Sequence, residues 1–182
     1  MEPKLLGYFP KRLTSVPEGY DLPGVQEIAS VSECIASGPE GWVDLWRHND
    51  AFLYNSPEQA WAVVPVDDVA RYGMYAYKIA SRVYGQDHAQ PIEIQVKPID
   101  LPQSFSRLGY DVVNRDYSVT FECSPLSCNA MARQVLVNEF CLFEDHASAV
   151  QFAKRCAVEQ PEPGSYLVVE VWRDATLRVA GV

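Results

Sequence analysis

The run from Tyr166 to Trp172 constrains the fold more than any other part of this 182-residue chain. Of its seven residues, all but Glu170 are apolar, so both faces of an extended strand would be mostly apolar. Successive side chains of a strand point to opposite faces, and a run without polar alternation is typical of a strand covered on both sides. The sequence therefore predicts a central strand here, in a sheet that other elements cover.

Shorter strand-like runs occur along the rest of the chain. The clearest, residues 91–97, alternates apolar and polar side chains, which indicates one buried and one solvated face. The other predicted strands are Leu5–Phe9, Met74–Ile79, Tyr110–Val113 and Ser118–Cys123. Turn residues between these runs favour antiparallel neighbours.

Helix signals lie between the strand-like runs. Asn55 or Ser56 as N-cap and Pro57 at the first helical position predict a helix to about Val64. Further helices are predicted over Val66–Arg71, over Ala130–Asn138 and from the Asp145 cap to about Ala157. Strands and helices do not alternate strictly, and no internal repeat is evident. The predicted fold is therefore α+β, a mostly antiparallel sheet of five to six strands with three to five helices.

Length and composition favour a single globular domain over residues 1–182, with a Pro/Gly-rich segment at 3–24 and a frayed tail at 174–182. The formal net charge is −9, which disfavours nucleic-acid binding and favours a basic partner protein. The N-terminus lacks the pattern of a signal peptide, and no apolar run is long enough to span a membrane. We therefore expect a cytoplasmic protein whose five cysteines are reduced.

Residues 121–129 combine thiol, hydroxyl and amide groups where a strand is predicted to give way to a turn and a helix. A helix N-terminus lowers the pKa of a thiol, which makes Cys128 the candidate nucleophile, with Cys123 and Glu122 beside it. The base would be one of the three histidines of the chain, His48, His88 or His146. The alternative is that Ser127 or Asn129 caps the helix and Cys128 fills space.

Four residues have a spacing similar to that of zinc-binding modules. Cys123, Cys128, Cys141 and His146 form a C-x4-C-x12-C-x4-H pattern, and such ligands hold zinc tetrahedrally. The first pair lacks the tight C-x2-C spacing, and Cys141 lies in an apolar run, as a buried cysteine does. The main expectation is therefore that no cofactor is bound, with structural zinc as the alternative.

Two aromatic regions are candidate binding surfaces. Polar side chains lie beside a tryptophan in the run Trp46, Arg47, His48 and Asn49, and Trp and Arg are enriched at binding hot spots. Ser127 and Asn129 are further candidate binding residues. The tyrosines between residues 72 and 84 could line a pocket, although such a stripe more often packs within a sheet. Sequence motifs for nucleotide binding, zinc proteolysis and esterase activity are absent.

These observations favour a non-enzymatic protein-binding module. The run from Leu108 to Val113, together with the small acidic α+β layout, resembles some bacterial immunity and inhibitor proteins. The resemblance covers few residues and transfers no functional residue. The alternatives are an enzyme with its site in the Glu122–Cys128 segment, acting by thiol chemistry or group transfer, and a structural zinc protein.

Overall fold

The computed structural model describes residues 4–13, 22–30, 32, 49, 51, 53–84, 101–115, 123–159 and 165–176. Its four strands are β1 (Lys4–Arg12), β2 (Tyr72–Tyr84), β3 (Phe105–Arg115) and β4 (Ser165–Asp174). Its α-helices are α1 (Pro57–Trp61) and α2 (His146–Glu159). Two 3-10 helices cover Val66–Arg71 and Met131–Gln134.

The four strands form one antiparallel sheet in the order β1-β2-β4-β3. Strand β4 has a neighbour on each side, which confirms the central position predicted from its apolar run. The α+β class is also confirmed, but the described part of the chain has four strands instead of the predicted five to six. The predicted strand at 91–97 and most of the one at 118–123 lie outside the described residues.

The two faces of the sheet are covered by different elements. The helix face, which includes Met74, Ala76 and Val168, packs against α1 and α2. The opposite face, here called the loop face, includes Tyr75, Tyr77, Ile79, Leu167, Val169 and Val171, and it packs against Ala29, Ala51, Leu53 and Leu142 from the connections. Within the described residues, no helix is long and apolar enough to cross a membrane.

Capping residues fix where the two α-helices begin. The Ser56 hydroxyl accepts the Gln59 N–H at 3.3 Å, and Pro57 follows it, as predicted. Asp145 Oδ1 accepts the Ser148 N–H at 2.8 Å at the start of α2. The predicted start of each helix is therefore confirmed, although α1 ends earlier than expected.

The prediction of a helix over Ala130–Asn138 is wrong. Ala130 has a left-handed backbone, with φ of +52°, and only the 3-10 helix Met131–Gln134 follows it. Val135 is already extended, with φ of −140° and ψ of 160°. Ser127 and Asn129 therefore cap no α-helix in this region.

The structure contains an internal repeat that is not evident in the sequence. The first unit consists of β1, α1 and β2, and the second consists of β3, α2 and β4. Each unit begins with a bulged strand whose bulge is next to a glycine, Gly7 or Gly109, with φ of +150° and +152°. A Cβ at Gly7 would lie 2.7 Å from Tyr54 O, and one at Gly109 would lie 2.7 Å from Phe143 O. Both positions therefore require glycine.

An asparagine organises the same turn in each unit. Asn49 Nδ2 donates to Leu6 O at 2.7 Å, and Asn138 Nδ2 donates to Leu108 O at 2.8 Å. The Oδ1 atom of each asparagine accepts two backbone N–H groups of the turn that follows it. That turn then pairs with the outer edge of the bulged strand, through Tyr8–Tyr54 in the first unit and Tyr110–Phe143 in the second. Each unit thus covers its own edge strand.

The strand registers define the symmetry that relates the two units. Gly7 pairs with Tyr77 and Gly109 pairs with Val171, so Tyr77 and Val171 are equivalent positions. These two residues also pair with each other where β2 meets β4. An approximate twofold axis therefore passes through the Tyr77–Val171 pair.

Candidate functional site

The segment Cys123–Ala130 forms a tight turn against the end of β3. Ser124 O accepts the N–H groups of Ser127 and Cys128 at 3.1 and 2.8 Å. Cys128 Sγ lies 3.1 Å from Ser32 Oγ, and Cys123 Sγ lies 4.0 Å from Asn129 Oδ1. Glu122 lies outside the described residues. The structure thus places both cysteines in one turn but gives Cys128 no helix N-terminus to activate it.

Among the described residues, no histidine lies where it could act as a base for Cys128. His146 is the first residue of α2, where its Nε2 lies 2.7 Å from Ser81 Oγ and its ring packs against Tyr110. His48 and His88 lie outside the described residues. The thiol-enzyme hypothesis therefore stays a prediction without a described base.

The structure does not group the four predicted zinc ligands, and structural zinc stays a prediction. All four lie within the described residues, where no group of three or more His, Cys, Asp or Glu side chains could hold a metal ion. Burial raises the pKa of Cys141 to about 12, and the Asp111 carboxylate acts in the same direction. In the absence of a metal, Cys141 is thus a buried protonated thiol.

Asn49 is the one described member of the predicted Trp46–Asn49 binding group. Its side chain is engaged with Leu6 O and with the N–H groups of Ala51 and Leu53. This gives Asn49 a role in holding the turn. Trp46, Arg47 and His48 lie outside the described residues, and their binding role stays a prediction.

A cleft of about 490 Å³ lies beside α2. Its lining includes Val135, Leu136, Phe143, Ser148, Phe152 and Arg155. The rings of Phe143 and Phe152 are 5.3 Å apart between centroids. Leu136 is 94% exposed, which is unusual for a leucine beside an apolar cleft.

Charged side chains lie near the cleft, both just before the start of α2 and along it. Glu144 and Asp145 are exposed and lie in sequence between the lining residues Phe143 and Ser148. The guanidinium of Arg155 lies 5.3 Å from the Phe152 ring centroid, and it bonds Gln134 Oε1 at 3.1 Å. Arg155 is also 3.4 Å from Glu159. Among the described residues, the one cation that lines the cleft is therefore already engaged by neighbours, and the acidic groups just before α2 are exposed.

This cleft was not predicted, because the sequence favoured a helix over Ala130–Asn138, and that range includes Val135 and Leu136. The early end of the 3-10 helix instead leaves Leu136 in extended chain. The run Val135-Leu136-Val137, three aliphatic residues between Gln134 and Asn138, was the available signal.

Comparisons with known proteins give no relative from which a function could be transferred. No family model, no curated protein and no solved structure matches this chain.

Proposed function

We propose that this chain is a protein-binding module whose binding surface is the cleft beside α2. The observation that carries the proposal is the exposed side chain of Leu136 at the border of an apolar cleft that contains Phe143 and Phe152. Protein interfaces commonly place apolar anchors in such pockets, surrounded by polar groups.

The binding free energy at this surface would come mainly from burial of the Leu136 side chain, which is exposed to water in the folded chain. Fully burying a leucine contributes about 1.5 to 3 kcal/mol, and Leu136 has nearly all of its surface available for a partner. The tilted ring pair Phe143–Phe152 supplies a fixed wall, since both rings are anchored in the core. A partner would therefore insert an apolar side chain between Leu136 and these rings.

The charge of the chain favours a basic partner. The net charge is −9, and Glu144 and Asp145 are exposed at the start of α2. Lysine or arginine side chains of the partner would lie against these two carboxylates. Opposite charges at the border of an interface accelerate association and make it sensitive to salt.

The test compares three forms of the chain as bait. Leu136→Ser removes the apolar anchor, and Val66→Ser is the matched control because Val66 is 89% exposed but lies outside the cleft. We expect a basic protein to be retained by the wild type and by Val66→Ser, and to bind Leu136→Ser at least about tenfold more weakly when purified.

Salt provides the second readout of the same experiment. Raising sodium chloride from about 50 mM to about 500 mM should weaken the interaction of the purified pair. Equal binding by Leu136→Ser and the wild type would show that the cleft is not the binding surface. Binding that does not change with salt would refute the role of Glu144 and Asp145.

A further inference from the structure

A cluster of six polar side chains lies on the loop face, away from the cleft, and four of the six are fully buried. It draws on all four strands and on the segment that covers them, and it is here called the polar cluster: Lys11, Glu27, Tyr75, Tyr77, Asp111 and Arg173. Lys11 Nζ lies 5.7 Å from the centroid of the Tyr75 ring, and the centroids of the Tyr75 and Tyr77 rings are 6.4 Å apart. The charges of Glu27 and Asp111 act to raise the pKa of both Lys11 and Tyr77. Four members therefore share one interior region.

Most polar atoms of the cluster have partners. The Tyr75 hydroxyl donates to Glu27 Oε1, and Arg173 donates to Glu27 Oε2 at 2.8 Å. The Asp111 carboxylate accepts the hydroxyls of Ser30 and Ser124 at 2.6 and 2.7 Å, and the Val112 N–H at 2.8 Å. Both carboxylates of the cluster thus already accept hydrogen bonds.

Two donors of the cluster have no acceptor. Lys11 Nζ and the Tyr77 hydroxyl are buried and have no hydrogen-bond partner in the described structure. Burial lowers the pKa of Lys11 to about 8, against the opposing effect of Glu27 and Asp111, so the amine is still mostly protonated at pH 7. A buried ammonium without an acceptor is costly, and native proteins almost always satisfy such groups.

The internal repeat shows that the fold does not require these polar residues. The strand registers show which positions of the two units are equivalent by the twofold symmetry. For each cluster member on a strand, the equivalent position of the other unit holds an apolar residue. The equivalent pairs are Lys11 with Val113, Tyr75 with Val169, Tyr77 with Val171, Asp111 with Phe9, and Arg173 with Ile79. All five equivalent apolar residues belong to the hydrophobic core on the loop face. One scaffold thus accepts apolar residues at every one of these positions.

We propose that the polar cluster binds the carboxylate group of a small organic molecule, with Lys11 Nζ and the Tyr77 hydroxyl as its hydrogen-bond donors. Both donors are buried in one region and have no hydrogen-bond acceptor, so a bound ligand with acceptor oxygens would satisfy them. The nearly parallel rings of Tyr75 and Tyr77, with centroids 6.4 Å apart, provide the adjacent apolar surface for the carbon skeleton.

The charge of the cluster selects a carboxylate over a phosphate. Arg173 is paired with Glu27, which leaves Lys11 as the cation without a hydrogen-bonded acceptor. Asp111 and Glu27 surround it with negative charge. The cluster contains two cations, Lys11 and Arg173, and two carboxylates, so a guest carboxylate adds one negative charge to a buried region whereas a phosphate dianion adds two.

The experiment measures the melting temperature with added formate, acetate or benzoate, each against sodium chloride at equal ionic strength. Formate is the smallest carboxylate and probes the two donors without depending on the rest of a ligand. At a concentration about ten times Kd we expect the melting temperature of the wild type to rise by roughly 3 to 5 °C. Calorimetric titration of the same carboxylate should give one site per chain.

Two variants locate the binding. Tyr77→Phe removes one hydroxyl without changing the shape of the ring, and Lys11→Met removes the charge while keeping an unbranched apolar chain. Both should lose the response to carboxylates and remain folded, since the equivalent positions are valines. The matched controls Lys78→Met and Tyr110→Phe change the same groups on the helix face, where Lys78 packs on Trp172 and the Tyr110 hydroxyl bonds Arg107, and they should keep the response.

Three outcomes would overturn the proposal. No response to any of the three carboxylates would leave buried water as the partner of the two donors. A response that survives in Tyr77→Phe and Lys11→Met would place the binding elsewhere. An equal response to phosphate would refute the charge argument. None of these results depends on Leu136, so the carboxylate site and the protein-binding cleft can fail independently.

Discussion

The substitution Asp111→Asn measures what a buried charge costs this fold. Burial raises the pKa of Asp111 from its ordinary 3.8 to about 6, while hydrogen bonds from Ser30, Ser124 and the Val112 N–H act in the opposite direction. The folded state therefore keeps the proton to a higher pH than the unfolded state does. Consequently, the contribution of this carboxyl to stability falls as the pH rises from about 4 to about 6.

The size of the effect follows from the pKa difference. At about 1.4 kcal/mol per pKa unit, the change from 3.8 to about 6 lowers the free energy of unfolding by about 3 kcal/mol at pH 7. Asparagine has the same shape and no charge, and its amide can still bond Ser30 and Ser124 because a hydroxyl donates or accepts. We expect Asp111→Asn to differ from the wild type by less than about 1 kcal/mol at pH 4 and to be about 3 kcal/mol more stable at pH 7.

Urea unfolding of both proteins across this pH range, in buffers free of carboxylates, gives the difference directly. The other carboxyl groups of the chain cancel in that difference, because they are common to both proteins. Asp68→Asn is the control, since its carboxylate lies on the surface beside Arg71, and its difference from the wild type should change little with pH. Parallel curves for Asp111→Asn and the wild type would refute the reasoning, as would a variant that is less stable at every pH.

Two further predictions concern the repeated turns and the thiols. Asn49→Ala and Asn138→Ala should each lower the free energy of unfolding by roughly 2 to 4 kcal/mol, because each removes three hydrogen bonds of the same turn; urea unfolding in which only one is destabilising would contradict their equivalence. Cys141 and Cys156, whose pKa values burial raises to about 12 and about 11, should be alkylated by iodoacetamide more slowly than the partly exposed Cys128. Peptide mass spectrometry of the native protein at pH 8 measures this order, and fast labelling of Cys141 would show that its pocket opens.

The sequence predicted the strands and caps that depend on local patterns. The apolar run Tyr166–Trp172 identified the central strand, and Ser56 and Asp145 marked the helix starts, because these signals are carried by neighbouring residues. The internal repeat was missed because it has no fixed period: Asn49 follows Gly7 by 42 residues, whereas Asn138 follows Gly109 by 29 residues. Only a few positions are shared, and long connections of different length separate them.

The polar cluster could not be predicted because tertiary packing creates it. Lys11 stands between Pro10 and Arg12, where a lysine is normally solvated, yet the fold buries it completely. Its neighbours Glu27 and Asp111 are distant in sequence. Asp111 is on the opposite edge strand and Glu27 is on the segment that covers the loop face, so only the folded sheet with its cover places them near Lys11. The cleft beside α2 was not predicted for a different reason. Leu136 was assigned to a helix over Ala130–Asn138, which the structure does not contain.

The twofold axis through Tyr77 and Val171 makes the seam between β2 and β4 resemble the interface of a symmetric homodimer. In a true homodimer every substitution appears twice, so a lysine at the Lys11 position would require a second lysine at the Val113 position. Two ammonium groups would then be buried in the same interior, and the desolvation cost would be doubled. Joining both units in one chain removes this constraint. It lets a single lysine and a single aspartate occupy opposite sides of one interior, an asymmetric charge arrangement that identical subunits cannot form.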